Sequence, residues 1–390
     1  METIRIGDAC KILNGYAFKS DKYVTSGIRV IRIANVQKGY IEDADPEFYP
    51  ENYSGLDKYM LKEGDLLMSL TGNVGRVAIL QKEMLPAALN QRVACLRIKN
   101  PKISKGYLFR FLNSDYFENK CIQASRGVAQ KNVSTEWLKE YEIPLYSAKK
   151  QAEIENTLDK LNLVIKHRKE ELSDLDELIK ARFVEMFGDP IINPRELPVS
   201  DLGHLSELIT KGASPSWQGF SYTDDATQTL FVTSENVREG YIDISSPKYI
   251  EDGFNEKQRR SVLQKGDFLI NIVGASIGRA AQFTLDCKAN INQAVALVRI
   301  EDKRIRDRYL LVYLNSEKAQ QMYNSMKSDT GRANLSLQDI SNLSILLPPV
   351  EEQITFENFV TQVDKSKVAV QKSLDETQLL FNSLMQKYFG

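Results

Sequence analysis

Cysteine and histidine are scarce in this sequence, with four of the first and two of the second among 390 residues. Cys10, Cys95, Cys121 and Cys287 lie far apart without a Cys-x-x-Cys pair, and His167 and His204 stand alone. Neither a zinc site nor a disulfide framework is therefore expected, and no residue is nominated as a metal ligand. Long apolar runs are also missing, since nothing approaches the roughly 18 to 20 residues of a membrane span. The opening Met1-Glu2-Thr3-Ile4-Arg5 lacks the apolar core of a secretory signal, so a cytoplasmic protein without a membrane partner is expected. Nor does one sign of charge dominate: 51 Lys and Arg face 52 Asp and Glu, a net charge of -1. That excludes a protein that coats nucleic acid over its whole surface, but allows a local basic cleft.

Catalytic signatures are lacking as well. There is no Asn-Pro-Pro-Tyr methyltransferase motif, no Gly-x-x-x-x-Gly-Lys-Ser/Thr phosphate loop and no Gly-x-Gly-x-x-Gly fingerprint. Glu118-Asn119-Lys120 and Glu301-Asp302-Lys303 contain the Glu-x-Lys half of a nuclease site, a tripeptide common in charged helices and loops. No catalytic residue is nominated.

What the chain does contain is a second copy of itself, at a shift of about 202 residues. Asn35-Val36-Gln37-Lys38-Gly39-Tyr40-Ile41 returns as Asn236-Val237-Arg238-Glu239-Gly240-Tyr241-Ile242. Leu61-Lys62-Glu63-Gly64-Asp65 returns as Leu263-Gln264-Lys265-Gly266-Asp267, and each copy then enters a Gly-rich turn, Thr71-Gly72-Asn73-Val74-Gly75-Arg76 or Val273-Gly274-Ala275-Ser276-Ile277-Gly278-Arg279. Asn90-Gln91 matches Asn292-Gln293, Asn132-Val133-Ser134 matches Asn334-Leu335-Ser336, and Phe187-Gly188 matches Phe389-Gly390. Ordered matches of this number imply a duplicated unit and a pseudo-twofold molecule.

Each copy reads as short strands rich in β-branched and aromatic residues, at 28–34, 66–70 and 93–98 in the first, punctuated by Gly and Asn turns. Helical stretches follow at 105–113 and 306–315. The expected class is α+β, with two similar mixed domains.

From Lys149 the apolar spacing becomes a heptad seam: Ile154, Leu158, Leu161, Ile165, Leu172, Leu175, Ile179 and Met186, with Arg168 and Arg182 as polar exceptions. The second copy gives Phe356, Val360, Val363, Val370, Leu374, Phe381, Leu384 and Tyr388, interrupted by Lys367 and Thr377. About 37 residues at 1.5 Å each would extend roughly 55 Å, more than a core helix needs. Helix-stop residues Gly188-Asp189-Pro190 close the first. The short linker after them favours an antiparallel coiled coil, with the carboxyl terminus returning toward Met1. The expected organisation is a first domain at 1–148, helices at 149–188 and 351–390, a linker at 189–200 and a second domain at 201–350, the coiled coil separating the domains.

Over essentially its whole length the chain resembles the DNA-specificity subunits of type I restriction and modification systems. The resemblance is carried by Gly15-Tyr16-Ala17-Phe18-Lys19-Ser20, the Gly-Asp-Leu-Leu strand leading into Thr71-Gly72-Asn73, Asn90-Gln91, and Gly127-Val128-Ala129-Gln130-Lys131-Asn132-Val133-Ser134. It is carried also by the junctions before the helices, Ile143-Pro144-Leu145-Tyr146 to Gln151 and Ile345-Leu346-Leu347-Pro348-Pro349-Val350-Glu351-Glu352-Gln353. The first junction has Tyr146-Ser147 where the second has Pro348-Pro349, and the second domain opens with Lys211-Gly212-Ala213-Ser214-Pro215 in place of the Gly-Tyr-Ala-Phe-Lys-Ser form.

The resemblance implies two target-recognition domains, each reading half of an asymmetric bipartite sequence in double-stranded DNA, with the helices setting the unread spacer. It implies docking of two methyltransferase subunits that bring S-adenosylmethionine and methylate adenine N6, and of restriction subunits that use ATP and Mg. No cofactor is then bound by this chain. Because Gly-rich and Asn-rich turns admit phosphates and Arg, Asn and Gln read base edges, the nominated DNA contacts are Lys19, Asn73, Arg76, Arg126, Gln130, Lys131 and Asn132 in the first domain. In the second they are Lys211, Ser276, Arg279, Arg332 and Asn334. Asn90-Gln91 and Asn292-Gln293 repeat so closely that a shared fold role is expected of them. Two rival readings stand beside this one: an enzyme with an unrecognised nuclease or methyltransferase centre, and a scaffold joining protein-binding or sugar-binding modules.

Overall fold

The structure is a computed structural model that describes residues 2–125, 131–326 and 334–390. It divides into two compact units, Met1–Lys169 with Lys372–Gly390, and Glu170–Gln371.

The first unit contains β1 (Thr3–Arg5), β2 (Cys10–Asn14), β3 (Ile28–Ile31), β4 (Phe48–Tyr49), β5 (Leu66–Ser69), β6 (Val77–Ile79), β7 (Ala87–Leu89), β8 (Val93–Ile98) and β9 (Glu142–Pro144). An antiparallel sheet takes the order β2-β8-β5-β6. In a second sheet β3 lies between β4 and β7, antiparallel to the former and parallel to the latter, and β1 pairs with β9. Successive side chains of a strand face opposite sides, which explains why β5 is apolar over Leu66–Met68 and β8 over Val93–Leu96, where both faces are covered. Leu66, Met68, Ala94 and Leu96 enter a core shared with the helices Lys105–Leu112 and Asp115–Ala124, while Leu67, Val93 and Cys95 pack toward the second sheet with Ile31 and Leu89.

The second unit repeats the topology with β10 (Val199–Asp201), β11 (Ser206–Lys211), β12 (Tyr222–Thr223), β13 (Thr229–Val232), β14 (Tyr249–Ile250), β15 (Phe268–Asn271), β16 (Ala280–Gln282), β17 (Ala289–Ile291), β18 (Val295–Ile300) and β19 (Ser344–Leu346). Its sheets run β11-β18-β15-β16 and β12-β14-β13-β17, with β13 parallel to β17, and β10 pairs with β19. Phe268, Ile270, Ala296 and Val298 face the helical core, and Leu269, Val295 and Leu297 the opposite layer.

The shared Leu-x-x-Gly-Asp motif has a physical cause. Gly64 and Gly266 sit at φ of +78° and +102°, a conformation that costs an L side chain energy. The aspartate that follows accepts a backbone N–H three residues back, from Lys62 to Asp65 at 2.8 Å and from Gln264 to Asp267 at 2.7 Å. Arg97 of β8 and Arg299 of β18 then pair with those buried carboxylates through two hydrogen bonds each. Asn35 and Asn236 close the other repeated turn, accepting from the N–H of Arg32 (2.8 Å) and Thr233 (2.9 Å) and donating to the carbonyls of Glu42 and Asp243.

Two 40-residue helices, Ala148–Phe187 and Val350–Phe389, contribute to both units. In the first unit Ile154 and Leu158 of the early part of one helix share a core with Phe381, Leu384 and Phe389 of the late part of the other. In the second unit the order is inverted, Ile179, Phe183 and Phe187 packing with Phe356, Val360 and Val363, so the pairing is antiparallel. Of the seam residues, Ile154, Leu158, Ile165, Ile179, Phe356, Val360, Val363, Val370 and Leu374 are buried, and Leu161, Leu172, Leu175 and Phe381 half-buried.

One departure from the heptad count is informative. After Ile179 the buried positions step by four, to Phe183 and Phe187, leaving Met186 half-buried. The cause is an aromatic pocket: Phe187 meets Tyr309 at 4.9 Å and Phe356 at 5.4 Å between ring centroids. Its counterpart Phe389 lies 5.6 Å from both Tyr107 and Phe111 in the first unit.

A buried glutamine fixes the start of each helix. Gln151 accepts from the N–H of Ser104 and donates to the carbonyls of Lys102 and Tyr146, all at 2.8 Å. Gln353 does the same with Arg306, Arg304 and Pro348 at 2.8–2.9 Å. Beyond the first helix, the Arg195 guanidinium donates to the Met186 carbonyl and to both carboxylate oxygens of Glu352, which lowers the Glu352 pKa.

Candidate nucleic-acid interface

The nominated residues that the structure describes fall into two places in each unit. The first is the β5–β6 turn of the first unit and the β15–β16 turn of the second. Thr71 bridges to Asn132, and the N–H groups of Gly72 and Val133 donate across to the carbonyls of Lys131 and Leu70 at 2.9 Å. This brings Asn73, Arg76, Lys131 and Asn132 to one surface. Val273 bridges likewise to Asn334, and the Leu335 N–H reaches the Ile272 carbonyl at 2.9 Å, gathering Ser276, Arg279 and Asn334.

Close packing holds both turns. A Cβ on Gly75, at φ +86°, would lie 3.0 Å from the Cβ of Cys121, and one on Gly278, at φ +87°, 2.4 Å from the Tyr323 ring. Asn73, Lys131, Asn132 and Asn334 are exposed, whereas Arg76, Ser276 and Arg279 are half-buried. The Arg76 guanidinium donates to the Gln37 side-chain oxygen, and the Ser276 hydroxyl accepts from Asn271 at 3.0 Å. Arg76 is thereby tied to the neighbouring hairpin, whose tip carries Tyr40, 57% exposed; Tyr241 holds the same place in the second unit at 59%. Burial alone would lower the pKa of Lys38 beside that tip, but its hydrogen bonds to Asp115 (2.6 Å) and Glu118 (2.7 Å) raise it.

Lys19 and Lys211 lie elsewhere and are not equivalent to each other. Lys211 ends β11 opposite Ala296, so its counterpart is Asn14, which ends β2 opposite Ala94. The glycines that follow are equivalent: a Cβ on Gly15 would strike the Asn90 backbone at 2.2 Å, and one on Gly212 the Ile291 carbonyl at 1.8 Å. Asn90 and Asn292 close that neighbouring turn by accepting the N–H of Arg92 and Ala294, both at 3.1 Å. Arg126, Gln130 and Arg332 lie outside the described residues.

Exposed Lys19 belongs instead to a patch that was not nominated as a whole. Tyr16, Phe18, Tyr23, Tyr53 and Tyr59 pack around buried Tyr49, with the Lys22 ammonium 5.0 Å above the Tyr53 ring. The Tyr16 and Tyr53 hydroxyls are 3.1 Å apart, a contact that raises the pKa of Tyr16. The signal in the sequence is the run of aromatic and lysine residues from Tyr16 to Tyr23.

A model of the type I restriction modification DNA specificity domain matches residues 1–174 and 215–377. The chain belongs to this family. It is similar to the specificity subunit of the type I restriction enzyme EcoBI of Escherichia coli, 24% identical over 408 residues, covering 98% of this chain and 83% of that one. It is also similar to the StySPI specificity subunit of Salmonella potsdam, 21% identical over 406 residues, with 98% and 86% covered. A solved chain from work on assembly and conformational transition of a type I system has the same fold, with TM-score 0.65, 19% identity and coverage of 100% of this chain and 97% of that chain. The type I S subunit from M. genitalium follows, with TM-score 0.54, 14% identity and 100% and 96% coverage. As a type I specificity protein the chain serves DNA sequence recognition, through a fold it carries twice.

Among the described residues of this specificity protein no three His, Cys, Asp or Glu side chains cluster as metal ligands would, and no helix is long and apolar enough to cross a membrane. Cys10, Cys95 and Cys121 are buried, and burial pushes the Cys10 and Cys121 thiols up to about 12, so they stay protonated at neutral pH.

Proposed function

We propose that each unit reads one half of an asymmetric, bipartite DNA target, and that the chain docks two methyltransferase subunits and, with them, restriction subunits. S-adenosylmethionine, ATP and Mg belong to those partners in this reading, and the chain itself works in the cytoplasm without catalysing a reaction. The observation that carries it is the duplication itself: one topology, one Gly-rich turn and one helix junction occur twice, while the surfaces beside them differ. A shared scaffold fits two identical partner subunits, and divergent surfaces fit two unequal half-sites. Phosphate contacts would position each unit through the exposed turn residues, and base contacts would specify its sequence.

The test is to assemble the chain with its methyltransferase subunits and map methylated adenines by long-read sequencing. Two unequal specified blocks around an unspecified spacer are expected. A single contiguous motif, or methylation without sequence preference, would refute the bipartite reading. We further propose that the long helices set the spacer. Inserting one heptad into each should change spacer length while both half-sites persist; unchanged spacing in an active complex would refute the ruler.

A further inference from the structure

Trp217 is 89% exposed, the highest value for a large apolar side chain among the described residues. It does not sit on a loose loop. The helical turn Pro215–Gln218 begins at buried Pro215 and ends at Gly219, in the left-handed conformation at φ +83°. The Phe220 N–H donates back to the Pro215 carbonyl at 3.0 Å, and the Phe220 ring packs against Phe254 with centroids 5.6 Å apart. The backbone that carries the indole is thus set before any partner arrives, which lowers the ordering cost of binding.

Cationic side chains stand beside the turn. The Lys257 ammonium donates to the Gln218 carbonyl at 2.8 Å, beside the indole-bearing residue. Exposed Lys211 precedes the turn by four positions, and the segment Arg259–Ser261, with exposed Arg259 and Arg260, packs against β11; exposed acids also lie nearby in the sequence, Glu207 on β11, Asp224 and Asp225 after the turn, and Glu251 and Glu256 before Arg259. The first unit has no such side chain at the matching place. Five residues after Gly15, where Trp217 stands after Gly212, the first unit has Ser20, and its aromatic Tyr16 is half-buried against Phe18 and Tyr59. The copies therefore share the Gly15 and Gly212 approach to the core and diverge immediately after it.

We propose that Trp217 is the apolar base-reading contact of the second unit, packing on base edges and a thymine methyl in the groove of its half-site while Lys211 and Lys257 engage flanking phosphates. Apolar contact distinguishes thymine, whereas the lysines add affinity without sequence information. The assignment rests on the bipartite reading above and names the residue that reads one half.

The test compares wild type, Trp217→Ala, Trp217→Phe and Lys257→Ala, each assembled with the methyltransferase subunits, by adenine methylation mapping and by co-purification. Trp217→Ala should lower methylation of the full target about 10-fold and relax one or two positions in one half-site only, with partial recovery in Trp217→Phe. Lys257→Ala should weaken methylation without altering the motif. An unchanged motif and rate in Trp217→Ala, beside a bipartite wild-type motif, would overturn the assignment alone. Loss of co-purifying methyltransferase would overturn it too, by making Trp217 a protein contact. A contiguous wild-type motif would overturn the bipartite reading and this assignment with it.

Discussion

Replacing Phe389 by alanine is expected to lower the unfolding temperature of the first unit by roughly 10 °C. The ring is 3% exposed and its edges meet Tyr107 and Phe111 in the main core of the unit. Truncating a buried phenylalanine costs about 3–5 kcal/mol in lost transfer energy and residual cavity. For a unit of this size each kcal/mol is worth about 2–4 °C. Phe187→Ala should act as strongly on the second unit, because that ring is fully buried among Phe183, Tyr309 and Phe356. Hydrogen exchange resolved along the chain distinguishes the two. Each substitution should raise exchange in the strands of its own unit first, and equal change in both would contradict the separate cores described above.

Asp267→Ala should be comparably damaging, by about 3–5 kcal/mol, because it strands a guanidinium built to meet it. The Asp267 side chain is 1% exposed, its Arg299 partner 17%, and its loss also removes the acceptor for the Gln264 N–H. Asp65→Ala should cost less, since the Arg97 side chain, at 29% exposed, can recover more hydration. By contrast, breaking the exposed Lys248–Glu235 pair should cost no more than about 1 kcal/mol. Urea denaturation of the three variants ranks them. A cost at Asp267 as small as at Glu235 would show that the repeated Gly-Asp motif is not the anchor its geometry indicates.

Much of this architecture was legible because local spacing decides it. The segment expected as a strand at 93–98 is β8, and the helices expected at 105–113 and 306–315 are Lys105–Leu112 and Asp307–Leu314. The strand expected at 28–34 stops at Ile31, because Asn35 takes the Arg32 N–H and turns the chain. Long-range pairing was not legible: β3 runs parallel to β7 across more than 50 residues, and no periodicity encodes that choice. Phe183 and Phe187 escaped the heptad count because an aromatic pocket elsewhere in the chain selects them over Met186. At the candidate interface, the repeat located both Gly-rich turns. The differing openings of the two domains gave no correspondence for Lys211, which only the sheet register supplies, pairing it with Asn14. Divergent side chains such as Trp217 leave no trace in a search for matches, although divergence is what two unequal half-sites require.

The most direct measurement is a methylation map of a chimaera in which residues 1–148 come from another member of the family, assembled with the same methyltransferase subunits. Modular reading predicts a motif in which one block is replaced and the other, with its spacer, is kept. Simultaneous change of both blocks, or of neither in an active complex, would contradict it.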